Sequence, residues 1–548
     1  AYVQELTDRL LDEVSDGLNA AHFVSRSTRY WNIVLGHWLE RYVCIMFNRY
    51  FTLEKTVNAH AISGTLILPT PDYSLATADS ESAVRAASDD LWNHVLYGRV
   101  LKHRGDVEIN WDPSPLTGVY GYSKKKTQPG GRSPSTWKQA VRRLANRILP
   151  RLRRKTDAFI INTYLPLRTE VEIEVRMGQV PQLWGSPRPA VVDVNPQKRA
   201  TFKIDHETHN GFERFIREEL PGIIPSCYLE GYEALGEQVK SLAWPSAPKL
   251  IFTSNNYNTD EVFKRWLADK VDEGAPYFVG QHGANFGSHF FNGNPHRPEQ
   301  TTSDRFFSWG WESERTWVVP SFNFKIDAKN IQEFSPSGGL LLIESVVPHR
   351  VTPWDNYFEF GIRQEDQFRF AEALPLDLQH QLTVRLHGEF RNQEWSDVER
   401  WQDRLPDVDV ETGVASITDL IGNSRLIVHG YDSSGLLETL AANVPTVAFW
   451  YYGLEQLLPR AHPYFQLLVD AGILFVDPEN AAAQVVSHWD DIGSWWSSPL
   501  VQDARIAFCE NFSRTERHPA KVLKMHHPSR IKEVASYVKF GEKRYSIF

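Results

Sequence analysis

Ser433 and Ser434 stand side by side in the stretch SRLIVHGYDSSGLLETLAANVPTVAFW, residues 424–450. Within it, 425–429 reads as a buried strand, 430–435 as a glycine-bounded loop, 436–442 as a helix and 445–450 as a second strand. The two hydroxyls therefore fall where a loop enters a helix. Unpaired N–H groups and the helix dipole attract anions at such a place. A phosphate is the ligand that suits it, with His429 and Asp432 alongside and Glu438 one turn into the helix. The competing reading makes Ser433 only the N-cap of that helix.

Other strand-like runs end in polar groups of the same kind. Residues 249–253 lead into Ser254, Asn255 and Asn256, and 277–280 lead into Gln281, His282 and Gly283. Residues 340–343 end at Glu344, and 382–386 carry Arg385 and end at His387. Ligands of open parallel sheets sit at the carboxyl ends of strands. Arg385 and His387 suit phosphate oxygens, and Glu438 suits ribose hydroxyls. His282 is the candidate general base or charge stabiliser, with Asn255, Gln281 and Gly283 as the acceptor side. Gly280 and Gly283 would let a substrate approach the backbone. Glu344 and Asp260 are the carboxylates a retaining reaction would draw on, and the stereochemistry stays open.

Two runs of βαβ alternation must hold these groups, separated by a Ser/Pro/Gly break at 335–339. The expected fold is α/β: two Rossmann-like lobes with a cleft between them and extra N-terminal helices at 1–17 and 28–50. The expected division is a first, acceptor-side lobe at 1–334, a nucleotide-sugar lobe at 335–525 and a tail at 526–548. The 28–50 helix carries His37, Glu40 and Arg41, read either as surface groups or as an edge facing the cleft.

Composition narrows the class. The chain has 548 residues and net charge −9, so no general attraction to nucleic acid is expected. Its three cysteines, Cys44, Cys227 and Cys509, show no metal-ligand or disulfide spacing, which fits a reducing cytoplasm. No run reaches the length of a membrane-spanning helix, and no signal peptide is visible. Residues 123–155 contain many Lys and Arg and no acid. Helical spacing there, at about 135–149, sets Lys138, Arg142, Arg143 and Arg147 beside an apolar stripe. Such a face suits an anionic surface such as the inner membrane or a glycolipid, or else packs on its own domain. Walker A, G-x-G-x-x-G after a strand and G-x-S-x-G are all missing from the sequence. Asp407-Val408-Asp409 spells D-x-D, but it follows Pro406 and opens a strand. No obligatory metal and no cofactor are expected.

The segments QHGANFG (281–287), VRLHGEF (384–390), HGYDSSGLLETLAANVPTVAFW (429–450) and RYWNIVLGHWLERY (29–42) resemble a family of surface-carbohydrate transferases first catalogued in Leptospira. The last part is also similar to the wider group of two-lobed GT-B transferases that includes capsule polysaccharide synthases, Kdo transferases and polysialyltransferases. In that group a basic residue–x–His–Pro motif and a Ser/Thr-rich loop grip the phosphate of a CMP-sugar. Arg385–His387 matches the start of the first, with Gly388 in place of the proline, and Ser433–Ser434 matches the second. The resemblance implies a GT-B glycosyltransferase that moves a sugar, such as CMP-activated Kdo, from a nucleotide donor to a polysaccharide or glycolipid acceptor. The alternatives are a CDP-polyol phosphotransferase, a sugar-nucleotide epimerase and a non-catalytic carbohydrate-binding scaffold.

Overall fold

A computed structural model describes residues 2–112, 152–204, 208–290, 296–326, 334–344, 357–388 and 396–525. The basic face at Lys138, Arg142, Arg143 and Arg147 and the tail 526–548 lie outside these residues.

The chain opens with two long helices, Tyr2–His22 and Thr28–Ala59. Leu6, Leu10, Val14 and Leu18 recur every four residues and lie on the buried face of the first. Ser27 caps the second by accepting the N–H of Tyr30. That helix buries residues around much of its circumference, including His37 and Arg49, because it runs through the middle of the first lobe. A parallel pair, β1 (Gly64–Ile67) and β2 (Glu108–Trp111), flanks the helix Asp90–Arg104.

The first lobe's main sheet contains β3 (Phe159–Ile161), β4 (Ile251–Thr253), β5 (Tyr277–Gly280), β6 (Arg305–Ser308) and β7 (Val318–Pro320). All pair in parallel in sequence order. The sequence reading misses β7, three residues ending in proline, which a sheet tolerates only at an edge. The second lobe holds β8 (Gly339–Ile343), β9 (Leu382–Arg385), β10 (Asp409–Glu411), β11 (Ser424–His429), β12 (Thr446–Phe449) and β13 (Leu474–Phe475). Their spatial order is β10-β9-β8-β11-β12-β13, all parallel. Counted within the lobe this is 3-2-1-4-5-6, the doubly wound order whose ligand crevice opens between strands 1 and 4. Here those strands are β8 and β11. The expected α/β architecture with two parallel sheets and N-terminal helices is therefore present.

The lobes share apolar packing. One buried cluster runs from Trp31 and Trp38 through Phe286, Trp309 and Trp311 to Leu436, Trp450, Phe465 and Phe508. The chain also crosses back after the helix Pro499–Phe512. Arg514 N–H donates to Trp309 O (2.9 Å), and Asn323 N–H donates to Arg514 O (2.7 Å). Ala520 and Leu523 then pack with Ile160 and Ile173 of the first lobe. The end of the 335–525 segment thus belongs spatially to the first lobe.

Candidate active site

The first lobe's strand ends are built by short polar turns. Thr253 Oγ1 accepts the N–H groups of Asn255 (3.3 Å) and Asn256 (3.1 Å), which folds the chain sharply after β4. Asn255 Nδ2 then donates to Tyr164 Oη (3.0 Å), just beyond β3. Tyr164 and its neighbour Asn162 hold φ of 64° and 48°, and Asn285 beyond β5 holds 71°. Three non-glycine residues in the left-handed region at one sheet edge mark local strain of the kind that clusters at functional sites.

Gly280 ends β5. A Cβ there would lie 2.1 Å from the Phe324 ring and 2.6 Å from Ser254 Oγ. The expectation that Gly280 admits a substrate is corrected: the space is already filled by Phe324. Gln281 is 1% exposed. Its Oε1 accepts the N–H of Trp309 (3.0 Å) and of Trp311 Nε1 (2.8 Å), and its Nε2 donates to Gly283 O (2.8 Å). This amide holds the loop together: both acceptor positions of its oxygen and one of its two Nε2 hydrogens are taken.

His282 is half-buried and hydrogen-bonded through Nδ1 to Tyr257 Oη (2.8 Å). Tyr257 stacks on His37 with centroids 4.9 Å apart, and His37 Nε2 lies 3.5 Å from Glu299 Oε2. Arg297 Nε donates to Glu299 Oε1 (2.7 Å). Burial pushes the Glu299 carboxyl up, but Arg297 and then His37 overcome this and hold it at about 2. Burial lowers the His282 imidazole to about 4; Glu299 opposes the shift, while Arg297 and Lys325 add to it. His282 is therefore neutral near pH 7. The helix Thr28–Ala59 supports the site from behind through His37.

In the second lobe the two serines part company. Ser433 is the N-cap of the helix Ser434–Ala441, accepting the N–H of Leu436 (3.2 Å) and lying 3.4 Å from His429 Nδ1. His429 has no exposed surface, contacts Thr439 Oγ1 through Nε2 (3.2 Å), and is held by burial at about 3. Both residues build the turn from inside, so the capping reading holds for Ser433, and His429 is enclosed beneath it. Ser434 points across to the first lobe. Its Oγ accepts the N–H of Ala284 (3.0 Å), and a Cβ on Gly283 would lie 3.7 Å from it.

The other second-lobe candidates lie elsewhere. Arg385 is two strands away from β11, beyond β8. Its Nη1 donates to Leu386 O (2.6 Å), and its Nε lies 3.7 Å from Glu411 Oε2 on the outer neighbour β10. His387 is exposed at the same strand end. Neither is brought to Ser434, because the Rossmann order inserts β8 between them. Glu344 ends β8 but is 3% exposed, accepting Trp401 Nε1 (2.9 Å) and Gln364 Nε2 (3.4 Å). Burial, reinforced by Asp397, raises its carboxyl to about 8. It is a protonated group inside the lobe, and a nucleophilic role does not fit this placement. Asp260 caps the helix Glu261–Asp272 and also accepts from Ser186 Oγ (2.7 Å). Asp409 of the D-x-D stretch opens the edge strand β10.

Lys325, which the sequence does not single out, and Asp432 join the lobes. Lys325 follows β7 and sets its Nζ 3.3 Å from Glu438 Oε1. It also lies 5.4 Å from the Tyr164 ring centre and 6.0 Å from that of Trp309. Asp432 accepts Asn285 Nδ2 (2.9 Å), with His289 Nε2 at 3.3 Å and Arg363 Nη2 at 3.7 Å. Residues 287–290 are strapped to 456–460: Leu458 N–H donates to Ser288 O (2.7 Å) and Arg460 Nε to Gly287 O (2.9 Å). No helix among the described residues is long and apolar enough to cross a membrane. Among the same residues no group of three or more His, Cys, Asp or Glu is placed to hold a metal ion.

No curated protein matches the chain. Among solved structures it is similar to an S. aureus MnaA–UDP complex, at 14% identity and TM-score 0.35, covering 55% of this chain and 81% of that one. It is also similar to the spinosyn rhamnosyltransferase SpnG bound to spinosyn aglycone, at 11% identity and TM-score 0.30, covering 54% and 76%. A third is WaaG, a glycosyltransferase involved in lipopolysaccharide biosynthesis, at 13% identity and TM-score 0.28, covering 68% and 99%. A family model matches residues 1–526 of this sequence, and the chain belongs to the LIC12162 family of transferases.

Proposed function

We propose that this transferase is a glycosyltransferase whose nucleotide-sugar donor places its phosphate at the N-terminus of the helix Ser434–Ala441. The acceptor hydroxyl would arrive over His282. The observation that carries this reading is the meeting of Ala284 N–H with Ser434 Oγ. It joins the His282 loop of one lobe to the anion-attracting helix end of the other at a single point.

The chemistry follows from the groups gathered there. A hydroxyl can accept one hydrogen bond and still donate its own. Ala284 occupies an acceptor position on Ser434 Oγ, so the Ser434 hydrogen is free to turn to a phosphate oxygen. The first helical turn adds outward N–H groups and its dipole. Lys325 supplies a full positive charge from the first lobe, exchanging Glu438 for the phosphate. Glu438, released, is placed for ribose hydroxyls. As the sugar's anomeric carbon leaves the phosphate oxygen and bonds the acceptor oxygen, charge grows on the phosphate, where these groups are strongest. The acceptor proton passes to His282 Nε2, which is unprotonated when Nδ1–H donates to Tyr257 Oη. Asn255 Oδ1, buried without a partner among the described residues, is available to an acceptor hydroxyl.

Support for a sugar donor comes from the sequence resemblance and from this geometry together. A CMP-activated ulosonic acid such as Kdo remains the donor to test first, with a polysaccharide or glycolipid acceptor. The experiment is hydrolysis-corrected transfer from CMP-, UDP-, GDP- and CDP-activated donors to glycans extracted from the producing cells. Transfer from one of them, lost in Ser434→Ala, supports the reading. Transfer from none, or full transfer by the variant, refutes it.

A further inference from the structure

A second feature lies outside the junction of the lobes. An open groove of about 830 Å³ runs between the loop after β1, the helix Asp90–Arg104 and the helix Gly211–Ile223. Its walls combine aromatic faces with fixed polar groups. Trp111, at the end of β2, is 57% exposed. Tyr73 lies across from it in the loop after β1 and holds φ of 61°. Tyrosine is rarely kept in that region unless its surroundings impose it. Beneath it the Arg199 guanidinium lies 5.9 Å from its ring centre. Arg199 is itself locked, donating to both Glu230 oxygens (2.7 and 2.9 Å) and to the carbonyls of Pro221 and Ile224 (2.9 Å each). The floor of the groove is therefore rigid.

Most of the charges along the wall are already matched. Arg99 Nη1 donates to Glu219 Oε2 (2.6 Å), and His103 Nδ1 lies 3.3 Å from Glu218 Oε2. Lys102 is exposed and has no ion-pair partner among the described residues. With Arg99, Arg199 and His103 each set against a carboxylate, Lys102 is the one lining cation among those named that is left for an anion, and the groove offers little to a phosphate. With polar walls it offers little to an acyl chain. Paired guanidinium and carboxylate groups present fixed donors and acceptors side by side, and an exposed indole presents a flat apolar face. A sugar ring has the complementary surface: a C–H face for the indole and hydroxyls for the pairs. A groove of this volume falls in the range that holds a drug-sized ligand, enough for a few sugar rings.

We propose that this groove is a glycan-binding site separate from the junction of the lobes, and that it holds a length of the acceptor chain away from its growing end. The acceptor identity rests on the glycosyltransferase reading; the binding does not, and its test requires no catalysis. The test is native affinity electrophoresis of the full chain through gels containing surface polysaccharide extracted from the producing cells. The wild type and Ser434→Ala are expected to be retarded equally. Trp111→Ala, at an exposed position, is expected to raise the apparent dissociation constant roughly tenfold, as loss of one stacked aromatic does. Lys102→Glu gives a second, independent cut into the same wall and is expected to weaken retardation less. The proposal is overturned if the wild type is not retarded, if Trp111→Ala migrates like the wild type, or if Ser434→Ala loses retardation as well. Nucleotide binding at Ser434 is measured separately, so either idea can fail alone.

Discussion

The two lobes solve the same problem in opposite ways. Each ends its parallel strands in polar residues, yet the first lobe backs them with buried ion pairs outside the strands, while the second keeps the strand-end groups Glu344 and His429 neutral. In the first, Arg297 and Glu299 are 7% and 0% exposed and pair at 2.7 Å, with His37 alongside. Lys264 and Glu261, each 1% exposed, pair at 3.0 Å behind them. In the second, the strand-end carboxyl Glu344 is held protonated and His429 unprotonated. The difference teaches what each lobe carries to the junction. Near Ser434 the first lobe brings Lys325, set against Glu438, while the second offers a helix N-terminus and Arg363, which lies 3.7 Å from Asp432. On the proposed function, a donor phosphate at Ser434 would draw on both lobes.

This contrast can be broken most severely at Glu299. Removing one member of a buried ion pair leaves the other uncompensated, at a cost of about 3–5 kcal/mol. Glu299→Ala is expected to lower the denaturation midpoint sharply in urea titration. An unchanged midpoint would mean the first-lobe network is not what stabilises it. The corresponding cut in the second lobe should behave oppositely. Glu344 has its folded pKa raised from 4.5 to about 8, so between those values the folded state holds a proton that the unfolded state has lost. Its contribution to stability therefore falls as pH rises through that window. Glu344→Gln keeps an acceptor for Trp401 and carries no proton to lose. Its stability relative to the wild type should grow from pH 5 to pH 8, measured by thermal unfolding at each pH.

A third prediction concerns histidines in both lobes. His22 and His282 are lowered to about 4, and His429 to about 3, chiefly by burial. Below pH 6.5 the unfolded chain binds protons at these sites before the folded one does. Their contribution is present above that pH and is lost as pH falls toward 3. His429→Asn should flatten the acid limb of the stability curve even if it lowers stability at pH 7. The smallest expected effect is at Tyr257→Phe, which removes the partner of His282 Nδ1. Turnover should fall severalfold with a shifted pH profile and nearly unchanged KM, whereas a purely structural role would leave the profile in place.

How much of this was legible beforehand depended on the length scale of the signal. The βαβ alternation and the helix after Ser433 rest on local spacing, and each emerges close to its reading. Edge strands of two or three residues, β7 and β13, carry too little periodicity to stand out. The site divided along the same line. That Ser434 and His282 end elements in facing lobes follows from local pattern. That Ser433 turns inward while Ser434 turns outward is a matter of helical phase at a cap. Arg385 failed to reach Ser434 because the strand order, a non-local property, puts β8 between β9 and β11. Lys325 had no pattern at all: it follows a strand too short to see, and only the fold brings it to Glu438.

The central claim is that a nucleotide's phosphate sits at Ser434 with Lys325 opposite. The most direct test is calorimetric titration of the wild type, Ser434→Ala and Lys325→Ala with CMP, UDP, GDP and CDP. At least one nucleotide should bind the wild type and bind each variant roughly tenfold or more weakly, as loss of a charge-assisted phosphate contact implies. Equal affinity in all three proteins, or no binding by any of the four nucleotides, would contradict the account.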